Sequence, residues 1–128
     1  MRGGVILLLF LPVLASCASS RIVFETAHAT ATSASAVGKP IIHEMCMEKA
    51  RECGKAGDAT CQPMLDCQKN KDIFVKTTVS VHRAAMMGLL AVAIGDKDGA
   101  SKWVEKVTGL LQQLDASAKQ FGLDKALK

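Results

Sequence analysis

Four cysteines between residues 46 and 67 constrain this chain more than any other feature. They read Cys46-x6-Cys53-x7-Cys61-x5-Cys67, with helix-forming residues on both sides of a glycine-containing middle. If the two arms form a helical hairpin about that middle, Cys46 faces Cys67 and Cys53 faces Cys61, because both pairs are centred on nearly the same point. The spacing therefore predicts two nested disulfides. The crossed pairing, Cys46–Cys61 with Cys53–Cys67, requires the arms to slip by a turn or more and stays open as the alternative.

The first sixteen residues have the pattern of an export signal. A single basic residue, Arg2, precedes the eleven apolar residues Val5–Ala15. That run is too short for a transmembrane helix, which needs about 20 residues, but its length is typical of the apolar core of a signal peptide. Residues 1–16 are therefore predicted to be a signal peptide.

The end of this segment, Leu14-Ala15-Ser16-Cys17, resembles the lipobox of bacterial lipoproteins: a branched apolar residue, two small residues and a cysteine. The resemblance covers only these four positions. It implies cleavage before Cys17 and lipidation of that residue, which would anchor the chain in a bilayer. Ala18, where an aspartate would favour the inner membrane, implies the outer membrane, facing the periplasm. Ordinary secretion, with cleavage just after Ala18, is the alternative.

The number of cysteines agrees with either form of export. The chain has five, and lipidation or removal of Cys17 leaves four, an even number that fits disulfides in an oxidising compartment. In a reducing cytosol, four cysteines would favour a metal site instead. Zinc sites typically use C-x2–4-C spacing, whereas the intervals here are six and five residues, so we assign no metal to these cysteines.

Periodicity predicts an all-α domain over residues 40–128. Its helices are expected at about 40–53, 62–94 and 100–121, the third with a seven-residue apolar repeat that folds back antiparallel on the second. Residues 17–39 are rich in Ala, Ser and Thr and show no helical stripe, so they are predicted to be a lipidated, flexible tether. The predicted fold is a small helical bundle: a disulfide-stapled helical hairpin plus a third amphipathic helix.

The second predicted helix is apolar on every side between residues 84 and 94, and such a segment needs burial on several sides. Because one partner helix cannot cover it, we expect an interaction face, formed by Ala84, Met87, Leu90, Ala91 and Ile94. A second copy of the chain, another envelope protein or lipid are its candidate partners. The alternative is a compact monomer in which this helix bends and the first predicted helix folds over it.

Candidate catalytic and metal-binding groups are few. His43 and Met47 share a helix face that a soft metal such as Cu(I) could use, although methionine at helix positions more often fills the core. Asp96 and Asp98 resemble the start of a calcium loop that lacks its later oxygen ligands, so a helix stop followed by a cap is expected there. His82 has no nucleophile or acid at a diagnostic spacing. We therefore expect no enzyme activity and no cofactor.

The charge pattern gives no sign of nucleic-acid binding. Net charge is +4 for the whole chain, and residues 41–128 carry 13 Lys and Arg against 11 Asp and Glu, or +2, interspersed along the sequence. That distribution lacks the basic stripe of a nucleic-acid-binding domain.

The expected function is that of a non-enzymatic, membrane-anchored envelope lipoprotein acting through helix-mediated protein contacts. It would be a structural or assembly subunit, or an inhibitor or exclusion factor. One alternative is a secreted helical binding protein with an apolar ligand site in residues 84–94; another is an envelope metal-binding protein.

Overall fold

A computed structural model describes residues 17–123, and within them every element is helical and no strand occurs. Helix α1, Cys17–Ser33, continues through a π-helical segment, Ala34–Gly38, into α2, Lys39–Ala56. Helices α3, Gln62–Ala93, and α4, Lys97–Gln120, follow. The predicted all-α fold, with a disulfide-stapled hairpin and a third antiparallel helix, is confirmed. The predicted signal peptide lies outside the described residues.

The prediction of a flexible tether over residues 17–39 is wrong, because this stretch is helical and packs into the core. Phe24 is fully buried, and the face around it consists of small residues three or four apart: Ala27, Ala31, Ala34 and Gly38. A face of small side chains shows almost no amphipathic contrast with the Ser and Thr around it. The helix is stabilised by tertiary packing on α3 and α4, which commonly outweighs a helix's own propensity.

The contact between α1 and α3 is close enough to require glycine. The Phe24 ring lies on the backbone of Gly88, and a Cβ atom at residue 88 would overlap that ring. Near the other end of the same interface, a Cβ at Gly38 would lie 2.8 Å from Cζ of Phe74. Each phenylalanine thus occupies the space that a side chain on the facing helix would otherwise fill.

The molecule has two parts, a three-helix bundle and a hairpin arm. In the bundle, α4 packs against both α3 and α1, so these helices share one core. Helix α2 packs extensively only on the first part of α3, and together they form the hairpin arm, residues 39–71. Helix α1 thus packs on the side of α3 that we expected either a partner or a bent helix to cover. At the start of α4, the Asp96 side chain accepts the Gly99 N–H at 2.9 Å, which confirms the predicted cap.

We predict that Gly88→Ala destabilises the protein. The new methyl group would force the Phe24 ring or the α1 backbone to move, and overpacking of this kind typically costs about 1–3 kcal/mol. Urea unfolding followed by circular dichroism measures the change in the free energy of unfolding.

Gly109→Ala is the matched control, since a Cβ at residue 109 of α4 meets nothing within 4 Å. There the better helix propensity of alanine should add about 0.5–1 kcal/mol of stability. If Gly88→Ala were also stabilising, the close packing of α1 on α3 would be refuted.

Candidate functional site

Two disulfides join the two helices of the hairpin arm. Cys46 is bonded to Cys67 and Cys53 to Cys61, each with a Cα–Cα distance of 5.5 Å, in the nested pairing that the hairpin predicted. All four residues are buried, and Cys46 and Cys67 join the main hydrophobic core. Because zinc binds cysteine as a thiolate, the bonded sulfur atoms are not available as zinc ligands.

The turn between the two inner cysteines is held by one carboxylate. Asp58 accepts hydrogen bonds from the Thr60 hydroxyl at 2.8 Å and from the backbone N–H groups of Thr60 and Cys61, each at 3.1 Å. These bonds lower the pKa of Asp58, the Thr60 hydroxyl contributing most. They hold the backbone where Cys61 adopts a left-handed conformation, with φ of 44°, uncommon for a residue with a side chain.

The expected interaction face at residues 84–94 is only partly exposed. Ala84 and Ala91 are core residues, 2% and 6% exposed, so their assignment to an exposed face is wrong. They lie two turns apart on the inner side of α3, which faces the other helices, and their small side chains let those helices approach. Met87, Leu90 and Ile94 are 44%, 52% and 70% exposed and do form part of the surface.

A shallow groove of about 290 Å³ runs between α3 and α4, beside this exposed surface. Its lining includes the apolar residues Ala84, Met87, Trp103 and Leu110 and the cations Arg83 and Lys106. Pockets that bind small molecules are usually about 300–1,000 Å³ and bury most of the ligand. This groove is small and open, so it lends no support to the alternative of an apolar ligand site.

Two histidines far apart in sequence meet across α1 and α3. The rings of His28 and His82 are perpendicular, with centroids 4.6 Å apart. Burial, and secondly the proximity of His28, lower the pKa of His82. A catalytic histidine needs a nucleophile or carboxylate in reach, and the ring that His82 meets is another imidazole. The sequence does not indicate this pair, because residue 28 lies in the stretch that was predicted to be a flexible tether.

The candidate soft-metal residues are not assembled into a site. His43 accepts a hydrogen bond through Nδ1 from Lys71 Nζ, at 3.1 Å, and Met47 is exposed on α2. In the part of the chain that the structure describes, no three His, Cys, Asp or Glu side chains come together in a way that could hold a metal ion.

The comparisons with known proteins do not indicate a function. No protein-family model, curated protein or solved structure matches the chain. Over residues 17–123, no helix combines the length and the apolar character needed to cross a bilayer. The candidate site in the described residues is therefore a surface. It consists of exposed apolar side chains on helices that the bundle core and the two disulfides hold in place.

We predict that opening the Cys46–Cys67 bridge costs more stability than opening Cys53–Cys61. The two bridges have sequence separations of 21 and 8, and the chain-entropy model assigns about 3.4 kcal/mol to the longer loop and about 2.6 kcal/mol to the shorter. Urea unfolding of the two double Cys→Ala variants measures both losses. Equal losses, or a larger loss from the inner bridge, would contradict the loop-length argument for this order.

We also predict that the protein loses stability on acidification because of His82. Its pKa is lowered in the folded state, so the unfolded chain binds the proton more readily; stability is full above the usual histidine pKa of about 6.5 and falls as the pH drops below it. In thermal melts at pH 7.5 and 5.5, His82→Gln should reduce the loss in Tm. His28→Gln should keep most of it, because burial is the larger cause. An unchanged pH dependence in His82→Gln would contradict this.

Proposed function

We propose that this chain is a non-enzymatic lipoprotein of a bacterial envelope, anchored through Cys17 and acting through protein contacts. The observation that supports export best is the pair of buried disulfides, since such bonds persist in oxidising compartments and are rare in the cytosol. The apolar segment and the Leu-Ala-Ser-Cys sequence at residues 14–17 supply a matching export and anchoring signal.

The anchor favours firm attachment to the bilayer rather than transient binding. Each buried lipid methylene contributes about 0.8 kcal/mol, and stable anchoring takes at least two acyl chains, which a lipidated Cys17 would carry. The described helices contain no membrane span of their own. In this proposal the lipid supplies the attachment and the helical domain supplies the recognition.

The hairpin arm is the surface we assign to protein contacts. It exposes large apolar side chains where no third helix covers the pair, namely Ile41, Met47 and Leu65. Two disulfides fix its shape before any partner binds, and a preorganised surface loses less conformational entropy on association. Such an arm suits a structural or assembly subunit, or an inhibitor or exclusion factor that occupies the surface of another envelope protein.

Labelling with palmitate in a Gram-negative host tests the anchor. We expect the wild-type chain to incorporate labelled palmitate and to sediment with outer membranes, and Cys17→Ser to do neither because it removes the acceptor thiol. Ala18→Ser, which keeps that thiol, is the control and should behave like the wild type. A wild-type chain that carries no palmitate and appears in the soluble periplasmic fraction or the medium would overturn the proposal in favour of a secreted protein.

A further inference from the structure

One side of α3 remains uncovered by α1 and α4, and most of its large side chains are apolar. We call it the outer face of α3; residues three or four apart along a helix share a face, and this face consists of Lys76, Val79, Arg83, Met86, Met87, Leu90 and Ile94. Its five apolar members are all among the exposed large hydrophobic residues of the protein, and Ile94 is the most exposed of that group. The bundle is therefore complete in its core while this strip lies open to solvent.

The charges within the strip have one sign, and the nearest carboxylates, Asp72 and Asp96, lie just beyond its two ends. No Asp or Glu occurs between residues 73 and 95, whereas Lys76 and Arg83 lie on the outer face itself. Lys106 of α4 lines the groove beside Arg83 and Met87. None of these three cations forms an ion pair with a carboxylate of residues 19–123. An apolar strip bordered by unpaired cations is complementary to a surface that is apolar below and anionic above, as an acidic bilayer is.

The outer face ends at the level where the described chain begins. Helices α1 and α3 are antiparallel, with Phe24 packed on Gly88. Cys17 lies seven residues before Phe24 and Ile94 six residues after Gly88; at 1.5 Å per residue, both are about 10 Å beyond that contact, in the same direction. Because residues 17–39 are helical, no flexible spacer separates an anchor at Cys17 from the bundle.

We propose that the outer face of α3 lies against an anionic lipid bilayer, with Leu90 and Ile94 entering the interfacial region and Arg83 and Lys76 meeting lipid phosphates. This inference rests on the proposed anchor at Cys17, which brings this end of the bundle to the membrane. Helices that bind in this way bury their apolar face about 5–10 Å into the boundary between headgroups and acyl chains. The anchor and the face would together fix the orientation of the bundle, which the anchor alone would leave free to rotate.

Charge argues for lipid over a second copy of the chain. An isologous dimer brings the same surface together twice, so two outer faces would bring four cations, Lys76 and Arg83 from each copy, into one contact, with carboxylates only at its ends, from Asp72 and Asp96. Like charges placed together across an interface are unfavourable. Lipid phosphates supply negative charge along the whole length of the face.

Photo-crosslinking from lipid tests the proposal on the full chain in its membrane. The chain is purified from the host envelope and reconstituted into phosphatidylcholine vesicles that contain phosphatidylglycerol with a diazirine in its acyl chain near the headgroup. After irradiation, mass spectrometry maps the labelled peptides. We expect label on residues 79–94 and little on the exposed side of α4 around Gln112 and Asp115.

Variants at exposed positions separate this contact from the fold. The Leu90→Ser, Ile94→Ser double variant and, separately, Arg83→Glu should each lower the labelling of residues 79–94 several-fold, with helicity by circular dichroism unchanged. Ile41→Ser, on the hairpin arm, removes an exposed isoleucine elsewhere and should leave the labelling as in the wild type.

The outcomes distinguish the face from the anchor. A palmitoylated chain whose lipid label is confined to its N-terminal peptide would overturn the proposed face and leave the anchor in place. A photoreactive amino acid placed at residue 90 that crosslinked two copies of the chain, in vesicles where residues 79–94 took up no lipid label, would also overturn it, in favour of a dimer. A chain without palmitate that still takes up lipid label on residues 79–94 would support the face and refute the anchor.

Discussion

The close antiparallel contact between the helix of residues 17–56 and α3 is the interaction on which the rest of the structure depends. Its register is set twice, by the Cys46–Cys67 bridge in the arm and by Phe24 on Gly88 in the bundle. Phe24 precedes Cys46 by 22 residues, whereas Gly88 follows Cys67 by 21. The helix of residues 17–56 thus has one residue more than α3 between the two contacts, and a π-helical segment, which lies at residues 34–38, absorbs such an extra residue.

That contact suits a chain with few large side chains. The protein has four Phe, one Trp and no Tyr, so its core is assembled from alanines and a few larger groups placed against glycine. Close approach of two helices increases the number of van der Waals contacts that small residues make, and the two disulfides lower the entropy of the unfolded chain. Small domains are commonly stabilised by disulfides for this reason.

Much of the fold could be predicted from the sequence where residues differ strongly in polarity. The cysteine spacing predicted the disulfides, the heptad repeat predicted α4, and the Asp96 cap followed from its position. The helix over residues 17–39 could not be predicted in this way because its buried face is mostly Ala27, Ala31, Ala34 and Gly38 beside Ser and Thr, and Phe24 is its single large apolar residue. The error propagated: without α1, Ala84 and Ala91 appeared to lack cover, and the contact of His28 with His82 could not be foreseen.

The helical conformation of residues 17–39 changes what an anchor at Cys17 would do. A coil-like tether would let the domain move freely above the membrane, whereas a helix that starts at Cys17 and runs into the core holds the bundle at the surface. The same geometry would place the exposed residues at the end of α3 beside that anchor, next to the bilayer that we propose as their partner. The hairpin arm, at the other end of the long helix, would then remain free for the protein contacts that we propose.

Export is the central claim of this account, and mass spectrometry of the protein taken from its native envelope without reduction tests it most directly. We predict a mature chain that begins at Cys17 and carries lipid, with peptides that join Cys46 to Cys67 and Cys53 to Cys61. An intact chain that begins at Met1 and has all its thiols free would contradict the account.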